Sequence, residues 1–192
     1  GSEMCIRDSY TDAKMVCITG SNGKTTTTLL TYHILREAGI NVGLAGNVGR
    51  SLALQVAREH HDVYVIELSS FQLENMYDFK ANIAVMLNIT PDHLDRYDYK
   101  MQNYINAKFR IIRNQTPEDA FIFWQDDPVI EAQLRQITIE AAKYPFSEHM
   151  EEEAAAYVDT LDNLIINTPR TSLEMPRKDL SLHGLHLSLI HI

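Results

Sequence analysis

One short segment limits the fold of this chain more than any other. Gly20-Ser21-Asn22-Gly23-Lys24-Thr25 stands between an apolar run, Met15–Thr19 (MVCIT), and an amphipathic stretch, Lys24–Ala38, that Gly39 closes. A buried strand that turns through a glycine-rich loop into a helix brings backbone N–H groups and a helix N-terminus together, which is what a phosphate group needs. Gly20, Ser21, Asn22, Gly23, Lys24, Thr25 and Thr26 are the candidate nucleotide-binding residues. Lys24 is suited to the terminal phosphates and the Thr25 hydroxyl to Mg²⁺. The spacing is G-x-x-G-K-T, because Ile18 stands where the longer G-x-x-x-x-G-K-T pattern has its first glycine. The plain alternative is a Gly-Asn turn before a capped helix, but the run Thr25–Thr28 is a poor helix starter with little structural reason to collect there. The chain contains no N-K-x-D, D-x-x-G or L-S-G-G-Q segment, so GTPases and transporter-type ATPases are excluded.

The rest of the chain alternates in the same way. Asn41–Ala45, Asp62–Leu68, Ile83–Asn88 and Ala120–Trp124 read as strands. Ser51–Glu59, Tyr99–Asn114 and Pro128–Gln136 read as helices, the second with Tyr104, Ile105, Phe109 and Ile112 on its apolar side. Beyond Ile137 the pattern shortens to Asn163–Asn167 and Thr171–Glu174, with Pro169-Arg170 between them as a hairpin signal. The expected fold class is α/β: a mostly parallel P-loop-type sheet flanked by helices, with a short antiparallel β portion near the C-terminus. Glu67 closes an apolar strand, where a carboxylate can hold Mg²⁺ or stand as a solvated loop residue.

Composition narrows the function classes. With 26 acidic residues against 17 Lys+Arg the formal net charge is -9, which argues against nucleic-acid binding, since that calls for a basic face. No apolar run approaches the roughly 20 residues of a membrane-spanning helix. Two cysteines, Cys5 and Cys17, make no disulfide framework, and no secretion signal is legible, so a cytoplasmic location is expected. Gly1–Ser9 and Leu187–Ile192 lack native periodicity and read as translated adaptor sequence. The expected organisation is therefore a non-native leader over 1–9, one ATP-binding domain over 10–186, and a non-native tail over 187–192.

Several further segments carry a resemblance. Gly20–Thr26, Gly46-Asn47, Glu67-Leu68-Ser69-Ser70-Phe71-Gln72-Leu73-Glu74, Asn88–Tyr97 and Ala107-Lys108 follow one another as in the Mur ligases. These are ATP-dependent enzymes that build the peptide stem of bacterial peptidoglycan. The stretch Glu67–Glu74 is most similar to the branch that joins D-glutamate to UDP-N-acetylmuramoyl-L-alanine. The resemblance implies a central ATPase domain from an enzyme of three domains, expected to be monomeric, with the domains for the UDP group and the amino acid lying outside this chain. It implies catalytic roles for Lys24, His93 and Lys108. Thr25 and Glu67 would hold one Mg²⁺, and His93 and Lys108 would serve another. Lys108 would be carbamylated by CO₂. Asn47, Ser69 and Gln72 would contact the acceptor substrate. Read from residues alone, Lys108 is a solvated surface cation and His93 an exposed histidine.

The chain also departs from the family. His183-Gly184-Leu185-His186 begins a G-x-H-N segment whose asparagine belongs to the nucleotide pocket, but residue 187 is Leu. Helices that complete the domain would follow there, so part of the sheet is expected to carry uncovered apolar surface. Other readings are another Mur branch, a folylpolyglutamate synthetase, or a non-catalytic nucleotide-binding module.

Overall fold

The computed structural model describes residues 11–151 and 153–180; His183–His186 and both terminal segments lie outside them. Among the described residues nine strands form one sheet in the order β2-β3-β1-β4-β5-β6-β7-β8-β9. The strands are β1 (Lys14–Thr19), β2 (Val42–Gly46), β3 (Val63–Glu67), β4 (Ile83–Met86), β5 (Ala120–Trp124), β6 (Ala142–Phe146), β7 (Ala156–Val158), β8 (Asn163–Asn167) and β9 (Ser172–Pro176). From β2 to β7 neighbouring strands run parallel; β7, β8 and β9 pair antiparallel. The architecture is the expected one. β1 is an interior strand, between β3 and β4, and its residues are buried from Met15 onward because helices cover both of its faces.

Five α-helices accompany the sheet among the described residues: α1 (Lys24–Glu37), α2 (Leu52–Arg58), α3 (Ser70–Glu74), α4 (Met101–Phe109) and α5 (Pro128–Leu134). The two-residue period of β1 divides the core. Met15 and Cys17 face a large cluster with Leu73 of α3, Tyr104 and Phe109 of α4, and Ile130 of α5. Val16 and Ile18 face a smaller cluster beneath Tyr32 and Leu35 of α1. Each fully buried aliphatic or aromatic side chain there contributes on the order of 1.5–3 kcal/mol. On the α1 side, Ile83, Val85, Ile122 and Trp124 are only half-buried.

Three local readings are corrected. The helix expected over 99–114 begins at Met101 and tightens into a 3₁₀ turn, Arg110–Ile112, because Asp98 and Tyr99 take positive φ (54° and 58°) that no helix accommodates. β6 and β7 have no counterpart among the expected strands: β6 carries Lys143 and Pro145, and β7 is three residues long. α3 has none among the expected helices, since five residues show no helical period.

Candidate functional site: the phosphate loop and its neighbours

The loop leaves the C-terminal end of β1, where neighbouring parallel strands also end. Gly23 takes a left-handed backbone (φ 82°) that a side chain would strain, and it starts α1 with no side-chain cap. The first turn of α1 therefore keeps its N–H groups and dipole for an anion. Thr25 and Thr26 are exposed on that turn, whereas Thr27 and Thr28 are buried. The Thr27 hydroxyl donates to the Gly23 carbonyl at 2.9 Å. The threonine run thus divides between an exposed pair and an inward pair.

The segment after β4 holds the loop. Asn88 accepts from the Ser21 amide at 2.9 Å through its carbonyl and from the Asn22 amide at 2.8 Å through its side chain. Its Nδ2 donates back to the Asn22 carbonyl at 3.1 Å. The Thr90 amide donates to Ser21 Oγ at 2.9 Å, and the Ser21 hydroxyl lies 2.9 Å from the hydroxyl of Tyr104 on α4. Sequence reasoning marks Asn88 and Thr90 as motif residues without giving them a role, and it reads Tyr104 as core alone.

Lys108 overturns its plain reading as a surface cation. It is 2% exposed, and its Nζ donates to the Gly20 carbonyl at 2.7 Å and lies 4.8 Å from the centre of the Tyr104 ring. Burial, and after it the nearby charge of Lys24, pushes this lysine down to about 7, with Asp92 opposing. A sequence signal for the burial existed: Met101, Tyr104, Ile105 and Lys108 fall at i, i+3, i+4 and i+7 of one helix face. Lys24 folds over the same loop, its Nζ donating to the carbonyls of Gly20 (2.9 Å) and Ser21 (2.8 Å).

Glu67 ends β3 beside the loop strand, paired with Ile18 on one side and Gly46 on the other. It is 1% exposed; its Oε1 accepts from Asn47 Nδ2 at 2.9 Å, and its Oε2 has no hydrogen-bond partner. A buried carboxylate oxygen left unpaired is costly, which suits an arriving cation. Gly46 permits this approach, since a Cβ there would lie 2.1 Å from the Glu67 carbonyl oxygen. Among the described residues no group of three or more His, Cys, Asp or Glu is assembled to hold a metal. Glu67 would therefore need other oxygens, such as the Thr25 hydroxyl, beside it.

The remaining candidates lie nearby with their own contacts. Ser69 and Gln72 form a capping box on α3, with the Gln72 amide donating to Ser69 Oγ (3.3 Å) and the Ser69 amide to Gln72 Oε1 (2.9 Å). His93 is exposed with φ 48°; its ring packs 5.3 Å from that of Phe71, and its Nε2 lies 3.6 Å from the Asp92 carboxylate. Those contacts do not join it to Glu67 or Lys108. The structure thus unites Gly20, Ser21, Lys24 and Lys108, and separately Asn47 with Glu67.

Parallel strands, an uncapped helix start behind a left-handed glycine, and two lysines on the loop define a phosphate-loop α/β domain. Residues 18–186 match the Mur ligase middle domain, and the chain belongs to the Mur ligase family. It is 63% identical over 185 residues to UDP-N-acetylmuramoylalanine--D-glutamate ligase of Bacteroides fragilis, covering 96% of this chain and 41% of that protein. It is 53% identical over 186 residues to the enzyme of the same name from Porphyromonas gingivalis, with the same coverage. The chain thus spans about two fifths of the length of these relatives. Among solved structures, UDP-N-acetylmuramoyl-L-alanyl-D-glutamate--2,6-diaminopimelate ligase matches with a TM-score of 0.72 at 20% identity, over 96% of this chain and 42% of its own. MurF from Acinetobacter baumannii matches at 0.69 and 21%, over 98% and 43%. These two establish the shared fold.

Proposed function

We propose that this chain is the ATP-binding part of a cytoplasmic, monomeric enzyme that joins D-glutamate to UDP-N-acetylmuramoyl-L-alanine. The names of the relatives at 53–63% identity support the substrate pair. The observation that carries the site is the burial of Lys108 against the carbonyl of Gly20, which ties a lysine of α4 to the phosphate loop. In this reading the carboxylate of the acceptor takes the terminal phosphoryl group of ATP, and the amine of D-glutamate captures the resulting acyl phosphate. Lys24 and the first-turn N–H groups of α1 hold the phosphates. Bound Mg²⁺ would neutralise charge on the transferring group. Thr25 and the unpaired Oε2 of Glu67 are the oxygens this chain offers one such ion; His93 and Lys108 are its candidates for the second.

As an ammonium, Lys108 offers no lone pair. An amine near neutrality at pH 7 can attack CO₂, form an N–C bond and lose a proton, leaving an anionic carbamate. Asn47, Ser69 and Gln72 line the approach proposed for the acceptor; Gln72 spends its Oε1 on the α3 cap, and its side-chain Nε2 takes no part in that cap.

The test is phosphate release by the full-length protein that carries this segment. Release should require both UDP-N-acetylmuramoyl-L-alanine and D-glutamate, and Lys24→Ala or Glu67→Gln should lower kcat about 10²–10³-fold. Release with a folate and L-glutamate instead would reassign the branch. Release with neither pair would leave a nucleotide-binding module. Intact-mass measurement in bicarbonate should show one added CO₂ that Lys108→Arg abolishes.

A further inference from the structure

Asp127 is 3% exposed and stands at the start of α5, outside every segment assigned to the site. One oxygen of its carboxylate, Oδ1, accepts from the amides of Val129 (2.8 Å) and Ile130 (3.0 Å), an ordinary helix cap. The other, Oδ2, accepts from the buried amide of Ile89 at 2.8 Å, a residue 38 positions earlier in the chain. A cap needs one oxygen. The second reaches the residue between Asn88 and Thr90, the two that bond Ser21 and Asn22 of the phosphate loop. Hydrogen bonds to a charged acceptor inside a protein are strong, and a donor left facing another donor there is heavily penalised.

We propose that Asp127 is a positioning residue for nucleotide binding: through Ile89 it fixes Asn88 and Thr90, and through them the form of the phosphate loop. This rests on the reading of Gly20–Thr26 as the nucleotide site. The carboxylate touches no substrate; it sets where the loop amides point.

Asp127→Asn separates this role from capping. The side-chain oxygen of the introduced asparagine keeps the bonds to α5, while its NH₂ meets the Ile89 amide donor to donor. In the 192-residue chain, amide exchange at Ser21 and Asn22 should accelerate about tenfold or more, with the amides of β1 unchanged. Titration with Mg-ATP should show about tenfold weaker binding. If Asp127 only capped α5, the asparagine would keep that cap and leave the loop amides alone, so unchanged exchange at Ser21 and Asn22 overturns the proposal whatever the affinity. If the wild-type chain binds no Mg-ATP, the nucleotide-site reading fails, and a Ser21 and Asn22 exchange change limited to the loop would show Asp127 ordering a loop of other use, overturning its role in binding. Should Asp127→Asn not fold, Asp127→Ser carries the same comparison, because serine caps helices well and has one oxygen too few for Ile89.

Discussion

Lys108 and Asp119 are both buried ionisable side chains, and their surroundings treat them oppositely. Lys108 has one hydrogen bond, to a carbonyl, and a second lysine nearby, so burial drives it toward the neutral amine. At Asp119 burial pushes upward as well, but the Thr116 N–H, the Lys80 ammonium at 3.0 Å and the Thr116 hydroxyl outweigh it and hold the carboxyl below its ordinary value. The unfolded chain therefore binds more protons than the folded one as Asp119 titrates. Its stabilisation is complete above the ordinary aspartate value of 3.8 and is lost as pH falls through the lower folded value. Asp119→Asn should cost about 1–3 kcal/mol at neutral pH and flatten the acid limb of urea-measured stability; an unchanged acid limb would refute this. Neither environment is visible as a motif. The depth of Lys108 follows from helical phase, while that of Asp119 depends on a partner at Lys80 that only the fold supplies.

Elements are legible where they are long or apolar and illegible where a few polar atoms build them. β1, β3, β4 and β5 announce themselves as runs of Val, Ile, Phe and Met buried in a parallel sheet. α3 does not, although its S-x-x-Q capping signature stands in the sequence at Ser69–Gln72. The resemblance assigns the same two residues to substrate, and the structure shows them capping a helix. The two roles separate in one variant. Ser69→Ala should lower stability by about 1 kcal/mol in a denaturant titration. Full stability with lost acceptor affinity would instead mean that Ser69 serves the ligand alone. The site is legible as a list of residues, whereas its connections through Asn88, Thr90 and Tyr104 need the sheet to bring β4 and α4 beside the loop.

At the scale of the whole molecule the sheet changes character along its width. β2 through β6 are parallel strands under helices, but β7 joins β6 through a single paired position, Phe146 with Ala156. β7, β8 and β9 extend from there, ending in an exposed turn at Thr168–Thr171. Limited trypsin should cut first at Arg170, leaving the part from β1 to β5 intact; first cuts at Lys24 or Arg36 would contradict this order of stability. The charge of -9 also belongs to this scale, since an acidic molecule that binds anions must concentrate its attraction in a few places.

In the proposed function one such place is Lys24, whose ammonium is already bonded to the carbonyls of Gly20 and Ser21. An incoming phosphate does not meet a waiting cation; it competes for one that the loop has satisfied. Capture is then a sequence of encounter and exchange, with the observed association rate levelling off as nucleotide concentration rises. A loop that held the nucleotide in this way would also set a speed limit on taking it in.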